Sequence, residues 1–157
     1  SMYYVADTMG QSYIVPPSVA GWTAYYQAPA FSKLWINSTY IKKRFDIVSA
    51  IVYTGIPIGT NTLKMNHLGF LNGLSNPSNA PQVIDDICDV FFPKAIDAMD
   101  KLALKLILTG GLPDFEWTIQ YTDYANDPTN TVVSNPVMQR MQAVMNVILK
   151  MPQFQTI

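Results

Sequence analysis

Prolines and glycines cut this chain into short segments, and the apolar residues between the cuts recur at helical rather than strand spacing. In the segment after Ser38, Ile41, Phe45, Val48 and Val52 are spaced four, three and four. Ser38 is a suitable N-cap for a helix reaching about Tyr53, and Gly55 is a suitable stop. Near the C-terminal end Val137, Met141, Val144 and Ile148 repeat the spacing, with Asn135-Pro136 reading as the helix start.

The same logic places further helices. Tyr3 to about Met9 closes a short one, with Gly10 free to end it in the left-handed region. Leu63 to Leu74 holds one short helix after a loop over Ile56 to Thr62. After the breaker SNPSNAPQ, Val83, Ile87 and Val90 define a helix with Asp85 and Asp86 near its positive end and Pro93 at its finish. Lys94 to Thr109 follows, with Ile96, Met99, Ala103 and Leu106 on the core side and an Asp97 to Lys101 pair one turn apart. Gly110 and Gly111 end it, and Pro113-Asp114 starts a helix through FEWTIQYTDYA that stops before Pro128. Only YIV and TVV hint at strands, and no segment repeats. The expected fold is mainly α, a compact bundle of about five to seven helices spanning 1–157 as one domain.

The segment from Gly10 to Ser38 stands apart. It holds two tryptophans, three tyrosines and three prolines with almost no charge, and Pro16, Pro17 and Pro29 forbid regular hydrogen bonding over Val15 to Ser32. A long, irregular aromatic and proline-rich N-terminal loop is expected. Its preferred reading is an anchored strap, in which Trp22 and Trp35 act as buried plugs while Gln11, Asn37 and Arg44 bond its backbone. The functional reading makes Trp22, Tyr25, Tyr26 and Trp35 a platform for a glycan or peptide, with Gln11 and Asn37 supplying directional bonds and Arg44 available to an anionic group.

Charge excludes some partners. Ten Lys and Arg against eleven Asp and Glu give a net charge of −1, with no basic stripe to follow a nucleic-acid backbone. Charged residues make up 13% of the chain, about half the ~25% of an ordinary soluble domain, while 49% are apolar. Either uncharged polar residues take over the solvated surface, or one face packs on residues not in this sequence. No apolar run approaches the ~20 residues of a membrane span. Ser1-Met2 reads as an added start, so the true start of the natural protein is not expected to be in view.

Catalytic and metal chemistry have few candidates. The single cysteine, Cys88, falls on the apolar side of a helix with Ile84, Ile87 and Phe91, which favours a buried thiol over a nucleophile. His67 is the only histidine, so a His-based metal site or a Ser-His-Asp arrangement would rest wholly on it. Asp114 and Glu116 have the chemistry of an acid and base pair, yet their place at a helix start is better explained by the helix dipole. Asp85, Asp86 and Asp89 lack the spacing of a calcium loop and read as a solvated face. No catalytic residue, metal or cofactor is assigned.

MGQSYIVPPSVAGW followed by LWINSTYIKKR resembles the motif of a large bacterial family catalogued as domain of unknown function 1800. The positions that carry the resemblance are Gly10, Gln11, Pro16, Pro17, Val19, Gly21, Trp22, Trp35, Ile36, Asn37, Ser38 and Arg44. The insert AYYQAPAFSKL is similar to the version found in Bacteroidetes members, as are GLPDFEWTIQY and MPQFQ. The resemblance implies the C-terminal part of an exported protein of several hundred residues, whose N-terminal remainder is then the first expected partner. It implies no reaction. Three functions stay open: a non-catalytic interaction region completing the larger protein, a glycan- or peptide-binding module, and part of a hydrolase site shared with the missing portion.

Overall fold

Backbone contacts divide the chain into two units, 1–65 and 66–157. The computed structural model describes residues 2–9 and 38–155, with side chains from Val5. Among them are eight α-helices and one two-stranded hairpin, a mainly α architecture as expected.

In the first unit, α1 is Met2–Thr8 and α2 is Ser38–Ser49. The Ile41, Phe45 and Val48 stripe of α2 is half-buried. Instead of continuing as α-helix to Tyr53, the chain widens into a π-turn over Ala50–Thr54, which contains the fully buried Val52. Gly55, at φ 89, ends it. The next residues are not the loop that the sequence suggests. Ile56–Ile58 (β1) pairs antiparallel with Asn61–Leu63 (β2), in the register Ile56 to Leu63 and Ile58 to Asn61. Three-residue strands are too short to show an alternation, so no strand pattern is visible in advance.

The second unit is built around α7. Its helices are α3 (His67–Asn72), α4 (Ala80–Phe91), α5 (Ala98–Thr109), α6 (Asp114–Asn126), α7 (Thr131–Ile148) and α8 (Pro152–Gln155). Helix α7 packs on α3, α5 and α6, and α4 packs on α5 and α6. The expected stripe of Val137, Met141, Val144 and Ile148 is fully buried, as are Leu71, Val83, Ile87, Leu104, Leu108 and Trp117 of the other helices. On the flank, Phe70, Phe91 and Phe154 form a tilted ring series with centroids 5.9 and 6.1 Å apart, joining α3, α4 and α8.

Local chemistry fixes the starts. Asn66, Asn79, Asp97 and Asn130 each accept a bond from a backbone N–H in the turn that follows. These caps correct two sequence readings. Helix α7 begins after Asn130, so Thr131, Val132 and Val133 are helical and Pro136 is the sixth residue inside the helix. The ring forfeits one backbone bond, to the Val132 carbonyl in an exposed first turn where water is available. Asp97 is a cap on Met99 N at 2.7 Å rather than a helical partner for Lys101. Lys101 instead bonds Asp85 at 2.7 Å, tying α5 to α4.

The stripe expected to bury α5 is also corrected. Met99, Ala103 and Leu106 face outward, and Leu104 and Leu108 enter the core. Val90 of α4 is exposed as well. Asp85 and Asp86 lie in the second turn of α4, where each has a specific partner, while Asp89 is exposed.

Candidate functional site

Of the residues singled out for ligand binding, Gln11, Trp22, Tyr25, Tyr26, Trp35 and Asn37 lie outside the described residues, together with Gly10 and the rest of the aromatic segment. Arg44 lies on α2, half-buried, and burial lowers the pKa of its guanidinium.

The catalytic candidates occupy structural positions. Asp114 and Glu116 stand in the first turn of α6. The Lys105 ammonium lies 3.0 and 3.1 Å from the two Asp114 oxygens and so engages the whole carboxylate. Cys88 is buried on α4, and burial pushes its thiol up to about 11, which keeps it protonated and a poor nucleophile near neutral pH. His67 is buried at the first position of α3. No group of three or more His, Cys, Asp or Glu among the described residues is placed to share a metal ion. No described helix is long and apolar enough to cross a membrane.

The polar clusters hold elements together. Tyr124 O–H accepts from Asn72 Nδ2 at 2.9 Å, and Tyr121 O–H donates to Asn72 Oδ1 at 3.3 Å, joining α3 to α6. Burial, then the neighbouring Tyr124, raises the Tyr121 phenol pKa. Asp86 accepts from Ser75 N (2.8 Å), Ser75 Oγ (2.6 Å) and Gln82 Nε2 (2.7 Å), fixing the α3–α4 loop onto α4. A hollow of about 380 Å³ lies beside the α4–α5 loop, lined by Phe92, Ile96, Asp97, Asp100 and Gln153. Asp97 is occupied there as a cap, and Asp100 accepts from Gln153 at 3.1 Å.

The informative surfaces are helix faces. On α6, Phe115 (59% exposed) and Ile119 (51%) lie one turn apart on the side opposite buried Trp117 and Tyr124. Thr118 and Thr122 flank them. Thr118 Oγ1 donates to Ser78 O at 2.9 Å and Thr122 Oγ1 to Thr118 O at 2.7 Å, so both hydroxyls are spent on backbone carbonyls. On α5, Met99 (71% exposed), Leu102 (44%) and Leu106 (47%) form an outer row with Ala103. Sequence reading finds most of this α5 row but assigns it to the core. The α6 pair is visible as an apolar i,i+4 spacing within FEWTIQ, but nothing in the sequence says which side of that helix the tryptophan claims.

No protein-family model matches the chain, and neither the curated proteins nor the solved structures contain a match.

Proposed function

We propose that this chain is a non-catalytic interaction region that completes a larger exported bacterial protein. The observation that carries this reading is the outer face of α6. Phe115, Ile119 and two threonines with internally satisfied hydroxyls make an uncharged strip on a helix whose other side already fills the core. A strip of this kind gains free energy when covered, at about 25 cal/mol per Å² of apolar area removed from water. Leu112, exposed just ahead of α6, extends the apolar character.

The partner proposed is the N-terminal remainder of the parent chain, and the support for it is the resemblance carried by Gly10 to Arg44, which also supports export. Calorimetric titration of this chain with the separately produced remainder tests the reading. Association that is lost in Phe115→Asp or Ile119→Lys, with unchanged far-UV circular dichroism, is the expected result. Two folded pieces that do not associate would overturn it.

A further inference from the structure

Asn72 is followed by Gly73, and this is the only Asn-Gly step in the chain. An asparagine amide is open to attack by the backbone nitrogen of the next residue, and glycine, with no Cβ, leaves that nitrogen unhindered. Both residues are exposed, at the end of the six-residue α3. The backbone does not require glycine there. Gly73 has φ −87, an ordinary right-handed value, and an added Cβ would come no nearer than 3.4 Å to the Phe70 carbonyl oxygen.

The reaction consumes only water. Gly73 N loses its proton and attacks Asn72 Cγ, the bond from Cγ to Nδ2 breaks, and Nδ2 takes a proton from solvent and leaves as ammonia. Water then opens the resulting succinimide ring. Opening at Cγ gives aspartate in an unaltered backbone. Opening at the backbone carbonyl carbon gives isoaspartate, with the chain running through the former side chain.

Three hydrogen bonds restrain the reacting groups. Asn72 Nδ2 donates to Tyr124 Oη at 2.9 Å, and Asn72 Oδ1 accepts from Tyr121 Oη at 3.3 Å. Gly73 N donates to Phe70 O at 3.1 Å. Ring closure breaks this arrangement, because a helical ψ of about −42° at Asn72 holds the nitrogen away from Cγ. A helix of six residues resists fraying weakly by itself. The resistance comes from α6, where Tyr124 is only 4% exposed and gives the amide a fixed anchor.

We infer that Asn72-Gly73 is a site of spontaneous deamidation whose rate is held down by the Tyr121 and Tyr124 clamp. Loss of ammonia makes the change one-way. Isoaspartate has no amide to bridge the two phenols, so its formation frees the end of α3 from α6. The inference makes no use of the outer face of α6 and stands or falls apart from it.

Ageing the folded protein at mildly alkaline pH, with isoaspartate at Asn72 read by peptide mapping, tests it. Tyr124→Phe should convert about 3- to 10-fold faster than the parent, the range one hydrogen bond spans. Adding Gly73→Ala to that variant should slow it severalfold. In urea the parent and Tyr124→Phe should convert at one rate. Gly111→Ala, which loosens the fold without touching the clamp, should match the parent. Equal rates for folded parent and Tyr124→Phe would overturn the inference, as would a difference that persists in urea or an equal acceleration by Gly111→Ala. In the isoaspartate form Leu74 N, which donates to Leu71 O at 3.1 Å, should exchange its hydrogen faster, and unchanged exchange would overturn the release of α3.

Discussion

Trp117 of α6 donates its indole N–H to the carbonyl of Pro77, forty residues earlier, at 2.9 Å while its ring is fully buried. One side chain thus supplies core volume and fixes the proline-containing loop ahead of α4. Trp117→Phe keeps much of the volume but strips the Pro77 carbonyl of its donor, and should cost about 1–3 kcal/mol. Trp117→Ala should cost about 3–5 kcal/mol. Urea denaturation of the two variants measures both, and a Trp117→Phe variant as stable as the parent would mean that the bond contributes nothing.

Asp86 should make the second unit acid-sensitive. Bonds from the Ser75 and Gln82 side chains, and from Ser75 N, hold its carboxyl below the ordinary value against an opposing desolvation effect. A depressed carboxylate stabilises the fold above its unfolded pKa, and that contribution is lost as pH falls through the lower folded value. Asp86→Asn should therefore be less stable than the parent at pH 7, and the gap should close below about pH 4. Thermal unfolding across pH 2–7 reads this directly.

Lys101 gives the opposite dependence. Its hydrogen bond to Asp85 is the largest effect raising its pKa, so the pair's contribution is present below the ordinary lysine value, about 10.4, and fades as pH rises through the folded one. Both groups are partly exposed, so Asp85→Ala should cost only about 0.2–1 kcal/mol at neutral pH and less in high salt.

Burial and the raised pKa of Cys88 predict a silent thiol. At pH 8 a disulfide reagent should label it at least a hundredfold more slowly than in urea, where the thiol returns to its ordinary value near 8.5. Rapid native labelling would mean that α4 opens locally.

Two adjacent glycines should respond differently to alanine. Gly110 and Gly111 both have positive φ, 66 and 76. Around Gly111 a Cβ meets open space, so Gly111→Ala should cost about 1–2 kcal/mol for its backbone alone. At Gly110 the Arg140 guanidinium must also move. Gly110→Ala should cost more, and Arg140→Ala in the same chain should recover the difference.

How far the sequence reveals this fold depends on how many solutions each segment allows. The stripe of α7 is legible because Val137, Met141, Val144 and Ile148 define one face of a long helix. Its start is not, because proline at position 136 resembles a first-turn residue and the β-branched TVV run favours a strand locally. Burial of the helix overrides both. In α5 the run LALKLILT is apolar at most angles, so two stripes fit equally well. Packing against α4 and α7 selects Leu104 and Leu108. The Asp97 to Lys101 spacing is misleading for a related reason, since i,i+4 contact requires both residues to be helical and Asp97 is the cap. For the site, the first-turn positions of Asp114 and Glu116 and the burial of Cys88 can be read from the sequence, whereas the α6 face becomes visible only once Trp117 has chosen its side.

The central place of α7 also orders events during synthesis. It packs on α3, α5 and α6, yet leaves the ribosome after all three. Until residues 131–148 emerge, Leu71, Leu104, Leu108 and Trp117 lack the surface that encloses them. The packing of α4 on α5 and α6 can form before that point, but the core of the second unit is completed only when its last long helix is added.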